Sequence, residues 1–126
     1  MYKVALEKSD FERLSALTLA LRRKGQTEKA AALDEHLHGA LVFGEGEIAW
    51  SCVTMRSLVR IRDLVSGHSW TYRLAFPAEA DISRGTVSVL SPLGAALLGR
   101  REGEEFGYDS PGGRMRVRVE AVDHDD

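Results

Sequence analysis

The hydrophobic positions of this chain follow two different periods, which meet at a segment rich in glycine and glutamate, residues 44–47. From residue 9 to residue 40 apolar side chains recur every three or four positions, the spacing of one face of an α-helix. From residue 48 onward they alternate with polar side chains, the spacing of a β-strand with one buried face. The pattern therefore predicts a helical part, residues 1–47, followed by a β-rich part, residues 48–126.

The helical part divides at Gly25, which we expect to end the first helix. Gly25-Gln26 is too short for anything but an antiparallel return, so the prediction is a short helical hairpin, or coiled coil, over residues 9–41. Ser9 and Glu12 have the spacing of a capping box, and Thr27 is placed to cap the second helix. Two apolar stripes form the predicted seam: Phe11, Leu14, Thr18 and Leu21 on the first helix, and Ala30, Leu33, Leu37 and Ala40 on the second.

The β-rich part contains a predicted β-hairpin and several further short elements. Val59 and Ile61 alternate with arginines, and Trp70, Tyr72 and Leu74 alternate with polar residues after a turn at residues 63–68. Further strands are predicted at Val87, Val89 and Leu90, at Glu104–Tyr108, and at Met115, Val117 and Val119, with a helix from Pro92 to Leu98 before Gly99 and a turn at Pro111–Gly113. The predicted fold class is α+β, a small antiparallel sheet with one helix packed on it.

Composition narrows the classes of protein that remain. The chain has 126 residues, a formal net charge of −2 and a pI near 6.1, which weighs against direct binding to DNA. Its single cysteine, Cys52, has no intramolecular partner for a disulfide and is expected to be an inert thiol. No apolar run approaches the ~20 residues that span a bilayer, and the N-terminus is unlike a signal peptide. We therefore expect a cytoplasmic protein that does not enter membranes.

Four segments between residues 50 and 122 occur in the order and at about the spacing of one known domain. They are Val53–Leu64, Pro77–Asp81, Ser91–Gly99 and Pro111–Gly113. Together they resemble the C-terminal domain of the GreA/GreB family of bacterial transcription factors. The resemblance implies a fold like that of the FK506-binding prolyl isomerases. Val53-Thr54-Met55, the run Gly94–Gly99 and the short hairpin are most similar to the short-armed branch called Rnk, the regulator of nucleoside diphosphate kinase.

The resemblance implies a partner and a docking site. Proteins of this family dock on the rim of the RNA polymerase secondary channel, against a coiled coil of the largest catalytic subunit. The Ser-Pro turn takes part in that docking, so Ser91 and Pro92 are the candidate docking residues. Leu90 stands where the family often has Asp or Asn, so we expect docking that is either weaker or shifted toward apolar packing.

The hairpin tip argues against the chemistry of the family's cleavage factors. Those factors place carboxylates at the tip of a much longer arm, where they help to hold a Mg²⁺ ion that activates water. The tip here carries one carboxylate, Glu28, and four cations, Arg22, Arg23, Lys24 and Lys29. Its net positive charge repels Mg²⁺. We therefore predict no stimulation of transcript cleavage, no enzymatic activity, and no metal or cofactor. The basic tip either contacts an acidic polymerase loop or RNA backbone, or only complements the helix dipole.

The arginines of the β-rich part and the aromatic residues have two interpretations each, whereas the histidines and the acidic tail have one. Arg114, Arg116 and Arg118, with Arg60 and Arg62, form either an anion-binding stripe or a solvated face paired with glutamates. Trp50, Trp70 and Tyr72 form either an aromatic pocket or part of the core. His36 and His38 point to different helix faces. His124 and the acidic tail, residues 123–126, are expected to be a frayed end and not a metal site.

The function predicted from the sequence is a non-catalytic transcription regulator that binds RNA polymerase. The alternative is a regulator of nucleotide metabolism that acts on nucleoside diphosphate kinase, directly or through gene expression. A prolyl isomerase is suggested by the likeness of fold alone, which does not establish activity. The sign of the effect on transcription and the oligomeric state stay open at this level.

Overall fold

The computed structural model describes residues 4–47 and 52–124. Two helices and two short strands come first: β1 (Ala5–Glu7), α1 (Lys8–Arg23), α2 (Thr27–Leu37) and β2 (Leu41–Phe43). The remaining elements are β3 (Leu58–Asp63), β4 (Ser69–Ala75), two 3₁₀ turns (Pro77–Glu79 and Ile82–Arg84), β5 (Thr86–Ser88), α3 (Pro92–Leu97), β6 (Glu105–Ser110) and β7 (Gly113–Asp123). The predicted boundary between the two parts, at residues 47/48, coincides with the end of the first described range. Trp50, a candidate for the aromatic pocket, lies outside the described residues.

Helices α1 and α2 form the predicted hairpin. Gly25 takes a φ of 77°, which an L side chain rarely adopts, and the Gln26 amide donates to the Leu21 carbonyl at 2.9 Å to close the turn. The buried positions follow the predicted stripes: Leu14, Thr18 and Leu21 on α1, and Ala30 and Leu33 on α2. At ~1.5 Å per residue the 16 residues of α1 make an arm only about 24 Å long.

Both predicted helix caps were wrong. Helix α1 begins at Lys8 with Glu7 in the cap position, and Ser9 donates its hydroxyl to the Glu45 carboxylate instead of capping. Thr27 is the first residue of α2, and Gln26 precedes it without a capping side chain. The reason for the earlier start of α1 is strand β1, which the sequence pattern did not show. It pairs in parallel with β2 and delivers the chain directly into the helix.

Helix α2 also ends earlier than predicted. It stops at Leu37, and Gly39 with a φ of 73° turns the chain into β2. Leu41, Val42 and Phe43 then pair with Ala5, Leu6 and Glu7, in place of a last helical turn and a loop. This small two-stranded sheet closes the base of the hairpin.

The second sheet has five strands in the order β5-β4-β3-β7-β6. The predicted hairpin β3–β4 is confirmed as antiparallel, as are the pairs β3–β7 and β6–β7. Strand β5 pairs with β4 in parallel, so the sheet is mixed rather than wholly antiparallel. The register shifts between Arg60 and Ile61, which pair with Ala121 and Val119. The bulge leaves Glu120 between these pairs, where its side chain reaches arginines on β3.

One hydrophobic core joins the hairpin to the sheet. Leu14, Leu21 and Leu33 belong to the same cluster of buried side chains as Ile61 and Leu97. At the base, the Thr54 hydroxyl donates to the Ala5 carbonyl at 2.7 Å. A hairpin with so thin a seam therefore depends on the sheet domain for its stability, because an isolated pair of short helices buries too little apolar surface.

Candidate functional site

The Ser-Pro turn connects β5 to α3 and is held by two serine hydroxyls. Ser91 is the N-cap of α3: its Oγ accepts the Gly94 amide at 3.0 Å and donates to the Ser88 carbonyl at 2.7 Å. Ser88 Oγ accepts the Leu90 amide at 3.0 Å. Pro92 occupies the first helical turn, where its missing N–H leaves no bond unmade. The turn is therefore rigid without help from a ligand.

Gly94 lets α3 lie directly on the end of β5. A Cβ added at this position would stand 1.8 Å from the Ser88 carbonyl oxygen and 3.0 Å from the Val89 Cα. Any side chain there would push α3 away from the strand. The sequence-based interpretation used Gly94 only as part of a family-like run, although a glycine inside an apolar helical stretch is itself a signal of close packing.

The three candidate docking residues present one small surface with mixed character. Pro92 is exposed, and Ser91 and Leu90 are half-buried. Leu90 packs part of its side chain against the core. The turn thus offers a partner a fixed proline ring, a hydroxyl already used for capping, and the free part of a leucine.

A groove of about 180 Å³ lies between this turn and helix α2. Leu33 and Val89 are buried at its lining, and Ala32, Leu90 and Ala95 add further apolar surface. Glu28 and Lys29 also border it. The groove therefore brings together Glu28, which the sequence placed at the hairpin tip, and Leu90, which it placed at the docking turn.

His36 links the two walls of this groove. Its Nε2 lies 2.8 Å from the Ala95 carbonyl oxygen, across 59 positions of sequence. Burial lowers the pKa of His36 below its ordinary value, and the hydrogen bond with Ala95 opposes that shift in part. The neutral ring therefore dominates at neutral pH, with Nε2–H as the donor to the carbonyl. No sequence signal singled out this role.

The remaining tip residues are exposed and lie apart from the turn. Arg22 pairs with Asp34 and borders a second, open groove between the two helices. Arg23 and Lys24 border neither groove, and both are exposed to solvent. The tip therefore does not gather acidic side chains, and its one carboxylate, Glu28, faces the docking turn.

The arginine stripe is a solvated, paired face, as the simpler interpretation predicted. Arg60 and Arg62 both donate to Glu120, at 3.1 and 2.6 Å, and Arg114 donates to Asp109 at 3.0 Å. Hydrogen bonds from Arg62, and then from Ser69 and Arg60, lower the pKa of the Glu120 carboxyl. Glu105 accepts from Arg118 and stands 3.8 Å from Arg116. Each of these arginines has an acidic partner on the same face.

The other candidate residues have structural roles. Cys52 is a half-buried free thiol in an isolated bridge with Arg101. Tyr72 packs against the core, whereas Trp70 is 38% exposed and faces His68. The frayed end predicted for His124 was wrong, because its Nδ1 lies 3.1 Å from the Ser57 hydroxyl. Asp125 and Asp126 lie outside the described residues.

Residues 4–47 and 52–124 contain neither a cluster of metal ligands nor a membrane-spanning helix. No three histidine, cysteine, aspartate or glutamate side chains of this part of the chain are grouped so that they hold a metal ion. No helix in the same part is long and apolar enough to cross a membrane.

The curated proteins that this chain resembles include several bacterial transcription elongation factors named GreA. The transcription elongation factor GreA of Nitratidesulfovibrio vulgaris strain Miyazaki F is 34% identical over 121 residues, which covers 95% of this chain and 76% of the relative. GreA of Desulfovibrio desulfuricans is 32% identical over 121 residues, with 95% and 75% covered.

Solved structures agree with these relatives. A prokaryotic transcription elongation factor GreA/GreB from Nitrosomonas europaea superposes with a TM-score of 0.83 at 34% identity, covering 98% of this chain and 100% of that one. The GreA factor homolog 1 protein of Thermus thermophilus has a TM-score of 0.52 at 25% identity, with 97% and 99% covered. The model of the family described as "Transcription elongation factor, GreA/GreB, C-term" matches residues 49–124. The fold, the relatives and this match together make the chain a member of the GreA/GreB family of transcription elongation factors.

Proposed function

We propose that this protein binds RNA polymerase at the rim of the secondary channel through the Ser91–Pro92 turn and regulates transcription without stimulating transcript cleavage. The observation that carries the proposal is the combination of a rigid, exposed Ser-Pro turn with a short arm whose tip is basic. The first feature supports docking, and the second opposes the delivery of a metal ion.

The docking part rests on preorganisation. Capping by Ser91 and the close contact of Gly94 with Ser88 hold Pro92 in one place before any partner arrives. A rigid surface loses little conformational entropy on binding, so more of the contact energy appears as affinity. The coiled coil of the largest catalytic subunit is the proposed partner, with Leu90 as an apolar contact beside the proline.

The absence of cleavage stimulation rests on length and charge. An arm of about 24 Å carries its tip only a short way from the docking turn. Arg23, Lys24 and Lys29 are exposed there, and they repel a divalent cation. Glu28, the one tip carboxylate, lies next to Lys29 at the border of the groove, so its negative charge is offset by a neighbouring cation. The protein is therefore proposed to be a regulator and not an enzyme, and to act in the bacterial cytoplasm, where RNA polymerase works.

Binding of purified core RNA polymerase tests the docking part. We expect saturable binding at low salt that GreA displaces, and weaker binding by Ser91→Ala and Pro92→Ala. Pro111→Ala is the matched control, because Pro111 is also exposed and lies in the turn between β6 and β7, at the sheet edge opposite β5. If the wild-type protein fails to bind at low salt, or Pro92→Ala binds as tightly as Pro111→Ala, the proposed docking is wrong.

Backtracked transcription complexes test the second part. GreA added to such complexes is the positive control for shortening of the transcript, and this protein is expected to leave the transcript intact at saturating concentration. Shortening that needs the wild-type protein and Mg²⁺ would contradict the proposal. A parallel assay of nucleoside diphosphate kinase with and without the protein is expected to show no change in rate, which would separate a direct effect on that enzyme from an effect through transcription.

A further inference from the structure

We infer that the groove between helix α2 and the Ser-Pro turn receives one apolar side chain from the helical element of RNA polymerase on which the turn docks. This inference rests on the proposed function and extends it, because it makes the hairpin part of the docking surface. The chemistry of the occupant follows from the lining, the size and the position of the groove.

The lining is apolar and the volume is small. Leu33 and Val89 are buried beneath the groove, and Ala32 and Leu90 lie on its two sides. Sites for small-molecule ligands usually measure about 300–1,000 Å³. A groove of about 180 Å³ is too small for such a ligand and is suited to a single aliphatic or aromatic side chain.

The position of the groove decides which partner supplies that side chain. Leu90 lines the groove and precedes Ser91 directly, and Ala95 lines it one helical turn later, where its amide donates to the Ser91 carbonyl at 2.9 Å. Pro92 itself does not line the groove, but Leu90, a candidate docking residue two positions before it, does, so the docking turn and the groove form one continuous surface. A helix laid along the turn presents side chains at intervals of three and four residues, and one of them reaches the groove.

The groove is also held open before binding. The contact of His36 Nε2 with the Ala95 carbonyl at 2.8 Å ties α2 to α3 across it. Glu28 and Lys29 add one charge of each sign at its border, so a partner side chain is flanked by polar contacts on the arm itself. This arrangement, an apolar pocket with a polar border, is common at the centre of protein interfaces.

The inference is tested by a substitution that fills the groove with a side chain of the protein itself. Ala32 is exposed on α2 and lines the groove, and Ala31, its neighbour, is also exposed and lines neither groove. Ala32→Trp and Ala31→Trp therefore make the same chemical change on the same helix, one inside the groove and one outside. Binding of core RNA polymerase is measured for both, beside wild type and Pro92→Ala, after denaturant unfolding has shown that both variants fold.

We expect Ala32→Trp to weaken binding about tenfold, as for loss of one buried interface anchor, and Ala31→Trp to leave it within about twofold. If Pro92→Ala weakens binding and Ala32→Trp does not, the groove is not used, and the proposed function survives without it. If wild type does not bind, both fail.

A second measurement reports contact directly, at a protein concentration high enough to saturate even a weakened complex. The photoreactive residue p-benzoylphenylalanine at position 32 is expected to crosslink to the largest catalytic subunit, whereas the same residue at position 31 is not. Equal crosslinking from both positions, or none from position 32 under conditions where the protein is bound, overturns the inference.

Discussion

Asp10 on helix α1 accepts a hydrogen bond from Arg56, with 2.8 Å between Oδ1 and Nη1, and this ion pair joins the hairpin to the sheet domain. The Asp10 side chain is 2% exposed, whereas that of Arg56 is 51% exposed. Within the described residues Arg56 is the one non-glycine residue with a positive φ, 67°. Its amide donates to the Leu74 carbonyl, and its carbonyl accepts from Arg73, so the strained turn is fixed on both sides.

Arg56→Ala is expected to destabilise the protein by about 3 kcal/mol, because it leaves the Asp10 carboxylate buried without its cationic partner. The value is at the low end for such a change, since Arg56 itself is half exposed. Chemical denaturation measures the loss. The control is Arg60→Ala, which breaks an exposed pair with Glu120 and is expected to cost at most about 1 kcal/mol. Equal losses for the two variants would show that the buried pair has no special role.

Gly94→Ala is expected to cost at least about 2 kcal/mol, because a Cβ there overlaps the Ser88 carbonyl and forces α3 off the strand. The same change should weaken polymerase binding by displacing Pro92. Gly112→Ala is the control: its added Cβ meets nothing closer than the Ser110 hydroxyl at 3.9 Å, and its φ is ordinary. Urea unfolding of both variants checks the prediction, which fails if Gly94→Ala is as stable as Gly112→Ala.

Ser91→Ala is expected to lower the free energy of unfolding by about 1 kcal/mol, the usual effect of losing an N-cap hydroxyl. The Gly94 amide would then lack the acceptor that it has at 3.0 Å. Ser91→Thr keeps the hydroxyl and should keep most of the stability. A threonine variant as unstable as the alanine variant would mean that the capping bond is not what holds the turn.

Acidification is expected to loosen the contact between α2 and α3 through His36. Burial lowers the pKa of His36 below its ordinary value of 6.5, so the unfolded chain binds a proton more readily than the folded one. The stability that His36 contributes is present above pH 6.5 and is lost as the pH falls through the pKa of the folded state. His36→Gln removes this titration and keeps a donor for the Ala95 carbonyl.

Denaturation midpoints measured at neutral and mildly acidic pH check this expectation. The midpoint of the wild-type protein should fall more on acidification than that of His36→Gln. His68→Gln, the same change at an exposed histidine outside the contact between α2 and α3, is the control for the substitution itself. Parallel profiles for wild type and His36→Gln would contradict the prediction.

Local patterns in the sequence determined most of the elements. Three kinds of pattern depend only on neighbours within a few positions. They are the apolar stripes of α1 and α2, the alternation in β3, β4 and β7, and the Ser91-Pro92 start of α3. Helical and strand periods, and the restricted φ of proline and glycine, carry that information without reference to distant residues. The candidate docking residues were predictable for the same reason, since Leu90, Ser91 and Pro92 are consecutive.

Only the tertiary structure decided how these elements meet. Strands β1 and β2 have three residues each, too few to show a period, and their pairing moved the start of α1 and removed its predicted cap. The Asp10–Arg56 pair and the His36–Ala95 contact join residues 46 and 59 positions apart, which no local pattern encodes. Glu28 belonged to the hairpin tip in the sequence and borders the docking groove in the fold, because packing of α2 against the sheet domain sets which way that helix face points.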